Sequence, residues 1–338
     1  VSWGQSPPGA LAMMISRKQA EELRRMLRQG RTVRLRMRVQ ANRSERAEIG
    51  MVMGEIPGEV KGRDVVLVSH LDHQKPGAND NASGSGTLLE ALATLQRLVA
   101  AGKVPPLRRT LRFWWSTEIA SEKAFFQRYP QEARNILLAV NLDQAGGDRN
   151  AENNFAVIYG PEWLPSFDDD LIYSLAEHMK DRYAPAERAP SPLFVSPRGS
   201  RTSFRPAYWK NMPLSDHVAF QAKGVGIPCI SMGVPSLHVI HTDQDSVDRI
   251  DPTWLKRSAL MTLAPALWAA NAGPAEARTL LDYVFGRARV RLAEYADPKK
   301  QLELEEQRLD SARALDAGLV SEPYKQKLRA LAEVLSRE

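Results

Sequence analysis

One stretch of the sequence constrains the fold more than any other, because an apolar run passes directly into a loop rich in Gly, Asn and Ser. Residues 65–68 are Val, Val, Leu and Val, and the run ends on His70 and Asp72. A continuous apolar run rich in β-branched residues predicts a strand buried on both faces of a sheet. The loop over residues 77–84 carries Asp80 and opens a helix. This order is typical of an open α/β sheet, which builds its ligand site at the carboxyl ends of its strands.

Three further apolar runs each precede a side chain that can bind a metal. They are residues 111–116 before Glu118, residues 136–142 before Asp143, and residues 227–232, which lead through a loop to His241. Two imidazoles and three carboxylates, without a thiolate, favour a catalytic pair of zinc-like ions over a structural metal. The alternative is that His70 and His241 are ordinary core histidines, but that leaves the carboxylates at matching strand ends unexplained.

The order of these motifs resembles that of the M28 family of zinc aminopeptidases and its relatives, the glutaminyl cyclases and glutamate carboxypeptidases. The matching stretches are residues 69–72, 77–84, 118, 141–143, 215–217 and 241–242. The resemblance implies an α/β, three-layer zinc-exopeptidase fold, with a mixed, mostly parallel sheet between helices. It also implies a metal-dependent exopeptidase, most simply an aminopeptidase that hydrolyses N-terminal residues with a metal-activated water. The partner would then be a peptide or a small-molecule amide substrate.

The same resemblance implies which residues hold two Zn²⁺ ions per chain. The implied ligands are His70 and Asp143 for one ion, Glu118 and His241 for the other, and Asp80 as the bridge. Asp72 would orient the His70 imidazole from behind, since metal-bound imidazoles usually donate their second N–H to an acceptor.

One position departs from the family pattern. In typical members two adjacent glutamates follow the second strand, the first acting as general base and the second as a metal ligand. Here the pair is Thr117 and Glu118, and a threonine cannot take the proton of the attacking water. Loss of a general base costs roughly 10²–10⁴-fold in rate. The base is therefore supplied from elsewhere, replaced by the metal hydroxide alone, or absent; Asp72, Glu118 and Glu122 are the catalytic candidates.

This departure leaves other functions open beside the aminopeptidase interpretation. One is another reaction on the same scaffold, either glutaminyl cyclisation or carboxypeptidase action. The other is a metal-binding homologue without catalytic activity, which Thr117 in place of the usual base would explain.

Other polar residues near these motifs are less specific. Asp216 and His217 are expected either to contact substrate or to cap the helix that follows them. His73 is expected to be a loop residue without a direct role, and the acidic residues between 243 and 248 are expected in a solvated loop. Residues 185–213 are irregular and rich in Pro, Ser and Arg, so they are predicted to cover either the substrate or the sheet edge.

The chain is predicted to contain three regions. They are residues 1–41, residues 42–273 and residues 274–338. The first region resembles the end of a protease-associated domain, or is an α-β adornment, with a helix from Ser16 to Gly30 and an alternating strand over residues 32–39. The second is the M28-like domain. The third has leucines at helical spacing and predicts two amphipathic helices that form a hairpin.

Composition agrees with a large folded protein. The chain has 338 residues, of which 43% are hydrophobic, and no uncharged apolar run is long enough to span a membrane. Its pI is near 9.4, but the arginines form no platform with interleaved aromatic residues, so nucleic-acid binding is not predicted. The chain starts at Val1, so we expect a processed or truncated end and a secreted or periplasmic protein. No sequence feature indicates the oligomeric state.

Overall fold

The computed structural model describes residues 13, 15–38, 40, 48–73, 76–182 and 194–336, in two compact units, Val1–Glu48 and Ile49–Glu338. In the first unit, helix α1 (Arg17–Arg28) begins as predicted. Ser16 Oγ accepts a hydrogen bond from the N–H of Gln19, whose side chain accepts one from the N–H of Ser16. The predicted strand over residues 32–39 is wrong, because residues 32–38 have no regular structure and residue 39 lies outside the described residues. An alternating pattern needs a partner strand, and the described part of this unit supplies none.

The second unit is built on one mixed sheet. Its strands are β1 (Val52–Ile56), β2 (Gly58–His70), β3 (Leu107–Ser116), β4 (Ile136–Leu142), β5 (Phe155–Ile158), β6 (Pro206–Trp209) and β7 (Cys229–Gly233). They lie in the order β1-β3-β2-β4-β7-β5-β6. Strands β3, β2, β4 and β7 run parallel to one another, whereas β1 pairs antiparallel with β3 and β5 pairs antiparallel with β7. The mixed, mostly parallel sheet is therefore confirmed.

Helices cover both faces of this sheet. They are α2 (Gly84–Ala100), α3 (Ala120–Arg128), α4 (Asp168–Arg182), α5 (His217–Gln221), α6 (Pro252–Asn271), α7 (Pro274–Glu294), α8 (Pro298–Ser311) and α9 (Glu322–Leu335), with short turns at Ala78–Ser83, Pro130–Asn135, Val247–Arg249 and Ala312–Ala314. In β2, Val65 and Leu67 enter the larger core with α2 and α6, whereas Val66 and Val68 pack with α3 and α5. The uninterrupted apolar run is thus explained by burial on both faces, which gives the predicted three-layer α/β fold.

The C-terminal region contains one helix more than predicted. Helix α7 precedes the two expected helices and shows the same helical spacing, with Leu281, Val284, Ala288 and Leu292 buried. Leucines of α7, α8 and α9 belong to the same core as the sheet. The boundary between residues 273 and 274 stays a prediction, as does the one between residues 41 and 42. None of the helices in the described ranges is both long and apolar enough to cross a bilayer.

A buried ion network fastens these helices to the rest of the second unit. Arg291 of α7 donates both to Asp170 of α4, with Nη1–Oδ1 at 2.6 Å, and to Glu305 of α8, with Nε–Oε1 at 2.6 Å. Asp170 and Glu305 are almost completely buried. Buried carboxylates of this kind need a paired cation to offset their loss of hydration. Helix α8 is therefore tied to α4 through this guanidinium group and, directly, through Arg308, whose Nη2 donates to Asp169 Oδ2 at 3.0 Å.

Candidate metal centre

The carboxyl ends of four adjacent parallel strands converge at one edge of the sheet. His70 at the end of β2 pairs with Ser116 at the end of β3, and Leu142 at the end of β4 pairs with Met232 of β7. The residues that follow these ends are therefore delivered to the same edge. Glycines permit the close approach of the connecting loops: a Cβ on Gly77 would overlap the backbone oxygen of Asp80, and one on Gly233 would overlap that of Asp143.

His70, Asp80 and Asp143 form a first group of possible metal-binding side chains. His70 Nε2 lies 3.3 Å from Asp80 Oδ1 and 3.5 Å from Asp143 Oδ1. His70 is 2% exposed, and neither its Nε2 nor Asp143 Oδ1 has a hydrogen-bond partner among the described residues. Burial alone would lower the pKa of His70, but the carboxylates of Asp143 and Asp80 raise it to about 12. The two carboxylates therefore hold a positive charge at this point of the sheet edge.

The orientation of His70 is fixed by a backbone oxygen. His70 Nδ1 lies 3.0 Å from the carbonyl oxygen of Asp72, which can only accept, so Nδ1 carries a proton and donates. A bound metal ion would displace the other ring proton, and the lone pair of Nε2 would then be directed to the ion between the two carboxylates. Asp72 was expected to orient His70 through its carboxylate, but Asp72 Oδ1 is 3.9 Å from Nδ1. The expected function is carried by the main chain of the same residue.

A second group consists of His73, Asp80 and His241. Asp80 Oδ2 lies 3.0 Å from His241 Nε2 and 3.5 Å from His73 Nε2. Asp80 therefore directs one oxygen to each group, which is the arrangement of a bridging carboxylate. Glu118, which the resemblance places beside His241, belongs to neither group of donors among the described residues. His73, for which no direct role was expected, stands with His241 instead.

The loop that carries Asp80 is held by hydrogen bonds on both sides. The N–H groups of Asn79 and Asp80 donate to Asp245 Oδ1 at 2.7 Å and Oδ2 at 2.9 Å. Asn79 Oδ1 accepts from the N–H groups of two glycines after β4, and Asn81 Nδ2 donates to the carbonyl oxygen of Leu142 at 3.1 Å. Asp245 is 2% exposed, so its expected place in a solvated loop is wrong. This carboxylate fixes the backbone of the proposed bridging residue.

Two further carboxylates hold the turn that contains Glu118. The N–H of Glu118 donates to Asp72 Oδ1 at 2.8 Å, and the N–H of Ile119 donates to Asp216 Oδ1 at 2.7 Å. Asp216 forms no side-chain cap on α5, so the expected capping role is wrong. His217, whose ring Nε2 lies 2.8 Å from the carbonyl oxygen of Met212, is completely buried. Burial lowers the pKa of His217 to about 4, so the ring is neutral.

Carboxyl groups near this edge have raised pKa values. Burial raises the pKa of Glu118 to about 8, with the charges of Asp143 and Asp216 adding to the shift. Burial likewise raises the pKa of Asp216 to about 8 and that of Glu122 to about 7. Glu118 is half-buried, whereas Glu122 is 0% exposed. Several carboxyl groups therefore lie close together here, and their ionisation is unfavourable without added positive charge.

The donor set fits zinc ions. Each group offers three donor atoms of nitrogen or oxygen, all within 4.8 Å of one another, and no thiolate takes part. Three protein ligands with a position left for water are usual for catalytic zinc. The buried Nε2 of His70 without a hydrogen bond in the described chain has a natural partner in such an ion, and the raised carboxyl pKa values indicate the same need for a cation.

The region expected to cover the substrate is described only in part. Residues 183–193 lie outside the described residues. Tyr208 in β6 stacks on Tyr159 with ring centroids 5.7 Å apart and donates to Glu177 Oε1 at 2.6 Å. Residues 206–209 of the segment therefore form the edge strand β6 of the sheet, which is neither of the two expected roles.

The fold and the clustered side chains define an α/β protein with a histidine-carboxylate centre at its strand ends. The family model described as "Peptidase family M28" matches residues 51–265. The chain belongs to peptidase family M28. The identity of the family agrees with the resemblance carried by the sequence motifs.

Individual relatives match over part of their length. Leucine aminopeptidase 1 of Aspergillus oryzae is 35% identical over 117 residues, which are 30% of this chain and 29% of that protein. A probable leucine aminopeptidase of Arthroderma otae is 24% identical over 226 residues, 62% of this chain and 54% of that protein. The solved structure of BSAP, a zinc aminopeptidase from Bacillus subtilis, has a TM-score of 0.49 at 18% identity and covers 65% of this chain and 49% of its own. The chain thus matches no more than 54% of either curated relative.

Proposed function

We propose that the chain is a metal-dependent aminopeptidase that holds two Zn²⁺ ions and hydrolyses the N-terminal residue of peptides. The observation that carries the proposal is the pair of donor groups that share Asp80, with its two oxygens directed to different histidines. Membership of family M28 and the match to leucine aminopeptidases support the same class of reaction. The zinc identity rests on nitrogen and oxygen donors without sulfur.

The metal and the protein would contribute different parts of the chemistry. Two bound zinc ions would lower the pKa of a water toward neutrality and polarise the scissile carbonyl group. The main-chain oxygen of Asp72 keeps the proton on His70 Nδ1, so that Nε2 remains a ligand. Asp245 holds the backbone of Asn79 and Asp80, which fixes the position of the Asp80 carboxylate. Water must lose a proton as it attacks, and a carboxylate near the centre is needed to accept it.

The charge of the centre supports cleavage at the amino end of a substrate. The carboxylate of Asp72 lies at this sheet edge, and its side chain is 51% exposed and accessible to a substrate. Carboxylates attract the ammonium group of a free peptide N-terminus and repel a C-terminal carboxylate. An aminopeptidase is therefore favoured over a carboxypeptidase on the same scaffold.

The experiment combines metal content with substrate choice. The purified chain is stripped with a chelator, reloaded with zinc and assayed on aminoacyl anilides, an N-terminal glutamine peptide and a C-terminal glutamate peptide. We expect two zinc ions per chain and zinc-dependent turnover of the aminoacyl anilides. Turnover of only one of the other substrates would assign a different reaction, and two bound zinc ions without any turnover would indicate a non-catalytic homologue.

Two variants connect that activity to the centre. His70→Ala removes a ligand of the first group and should lower zinc affinity by more than about 100-fold, the upper range for loss of groups that merely support a ligand. His178→Ala is the matched control, because His178 is an exposed residue of α4. Unchanged zinc content in His70→Ala would contradict the proposal.

We also propose that the protein acts outside the cytoplasm, in a secreted or periplasmic form. Fractionation of cells that express the natural full-length protein tests this location. Recovery in the cytoplasmic fraction alone would contradict it.

A further inference from the structure

We propose that His73, rather than Glu118, completes the second metal-binding group, and that Glu118 is the general base of the reaction. This inference rests on the proposed function and assigns two residues within it. It reverses the role that the family resemblance gives to Glu118. It also explains how a chain with Thr117 in the usual position of the base can remain an enzyme.

The place of His73 is given by its relation to Asp80 and His241. Both imidazoles direct Nε2 toward the same carboxylate oxygen, Asp80 Oδ2, at 3.5 Å for His73 and 3.0 Å for His241. Their ring centroids are 5.5 Å apart and their planes are inclined by 44°. Stacked rings would be parallel, whereas inclined rings that converge on one oxygen surround a common point. His73 is therefore placed as a third ligand beside His241 and Asp80.

The turn that contains Glu118 is held by hydrogen bonds and keeps Glu118 apart from that group. Asp72 and Asp216 accept hydrogen bonds from the consecutive N–H groups of Glu118 and Ile119. Ile119 has φ of 61°, a left-handed conformation that costs a β-branched residue free energy and marks functional sites when the surroundings enforce it. Two carboxylates thus stabilise a strained turn whose effect is to fix the position of Glu118.

The electrostatic surroundings of Glu118 suit a group that accepts a proton near the centre. Its carboxyl interacts with the charges of His70, Asp143 and Asp80, so it lies close to the first group without belonging to it. Glu118 is half-buried and can contact water, whereas Glu122 on α3 is completely buried and cannot meet a substrate directly. Thr117 has no acidic group. Glu118 is the remaining acid of the β3–α3 turn that reaches both solvent and the centre.

In the proposed step, Glu118 carries one proton from the attacking water to the leaving nitrogen. The oxygen of the attacking water forms a bond to the carbonyl carbon of the first peptide bond, and the π pair of that carbonyl group moves onto its oxygen. One proton of the water passes to the carboxylate of Glu118, and the π bond re-forms when the leaving nitrogen departs. The carbon–nitrogen bond then breaks, and Glu118 returns that proton to the leaving nitrogen. One water is consumed, the products are a free amino acid and a peptide shortened by one residue, and Glu118 is again a carboxylate.

The first measurement is of metal binding and does not depend on activity. Zinc stoichiometry and dissociation constants are determined by equilibrium dialysis for the full chain and for Glu118→Gln, His73→Ala and the exposed control Glu333→Gln. We expect two zinc ions in Glu118→Gln with affinities within about threefold of the unmodified chain. We expect His73→Ala to retain one ion and to lose at least about 100-fold in affinity for the other.

The second measurement is of turnover by the zinc-loaded proteins. Glu118→Gln should lose roughly 10²–10⁴-fold in kcat, the range for a general base, while Glu333→Gln keeps the activity of the unmodified chain. Glu122→Gln distinguishes the completely buried acid of helix α3 from the half-buried acid of the turn, Glu118. A loss of kcat in Glu122→Gln with normal activity in Glu118→Gln would overturn the assignment of the base.

The two readouts keep this inference distinct from the proposed function. Loss of a zinc ion from Glu118→Gln, or two tightly bound ions in His73→Ala, would overturn the ligand assignment. If circular dichroism shows that His73→Ala does not fold, His73→Asn is measured instead. The zinc content of Glu118→Gln still tests whether Glu118 is a ligand. The variants could show the expected zinc contents while the unmodified chain hydrolyses no peptide. That outcome would refute the aminopeptidase function and the role of Glu118 as base, but not the role of His73 as a ligand.

Discussion

Asp245 offers the sharpest test of how the proposed bridging residue is held. Its two carboxylate oxygens accept hydrogen bonds from the consecutive N–H groups of Asn79 and Asp80, at 2.7 Å and 2.9 Å, and its own backbone oxygen accepts from the N–H of Ala78 at 3.1 Å. Asp245→Asn keeps the size and shape of the side chain. It replaces one of the two acceptor oxygens by an NH₂ group that faces a donor.

The magnitude follows from the bond that is lost. A hydrogen bond to a charged group contributes about 1.5–3 kcal/mol, and a buried donor left without an acceptor costs a similar amount. Because the two figures describe overlapping losses, we expect about 2–3 kcal/mol in all. In the variant, metal binding becomes weaker by this free energy, because the ions require Asp80 in its present position. At 1.4 kcal/mol per factor of ten, zinc affinity should fall by about 30- to 150-fold.

The assay is a competition titration of zinc against a chelating dye. Asp243→Asn is the matched control, because Asp243 lies two residues away in the same loop and is exposed. We expect Asp243→Asn to bind zinc like the unmodified chain. Zinc affinity within twofold of the unmodified chain in Asp245→Asn would refute the reasoning, because the loop would then hold Asp80 without this carboxylate.

The elements with a strong local signal could be predicted from the sequence. The apolar run of β2 specifies a strand buried on both faces, and its end delivers His70 to the sheet edge. Helix α1 begins after Ser16 as predicted, and Gln19 completes its capping box. Strand β1 was missed, because it lies at the edge of the sheet and its mostly exposed residues lack the apolar pattern of a buried strand.

The supporting contacts of the centre could not be predicted from spacing. Asp245 lies 165 residues from Asp80, and only the folded sheet brings the two together. A short acidic segment after a histidine resembles a solvated loop unless its partners are known. His73 carried a local signal, a second histidine three residues after His70, but its ring position depends on a loop whose path the sequence does not specify.

The roles expected of the Asp72 and Asp216 side chains differ from the contacts that these side chains make. Both residues were recognised as part of the centre, but their partners are backbone groups of the turn after β3. The orienting acceptor of His70 is likewise the main-chain oxygen of Asp72. Side-chain motifs in the sequence therefore predict which residue types lie at the centre. They do not predict which backbone groups those residues bind.

Three other features of the second unit, the half-buried Arg291, the buried Asp168 and Thr117, each give an expected outcome. Arg291→Ala removes the cation shared by the buried carboxylates of Asp170 and Glu305, which keep Arg287 at 3.6 Å and Arg308 at 3.0 Å. The free energy of unfolding in urea should therefore fall by about 3 kcal/mol, the lower end of the range for a broken buried pair; an unchanged midpoint would contradict the network's role. Burial raises the pKa of Asp168 from 3.8 to about 7, so the native state keeps a proton that the unfolded state releases, and stability should fall as the pH rises from 4 to 7. Between pH 4 and pH 7, the free energy of unfolding should fall less in Asp168→Asn than in the unmodified chain. An equal fall in the two proteins would contradict this role of Asp168. Thr117→Glu restores the family's usual pair of glutamates, yet it should leave kcat and zinc content unchanged if Glu118 already accepts the proton; a rise of tenfold or more in kcat would show that the base belongs at position 117.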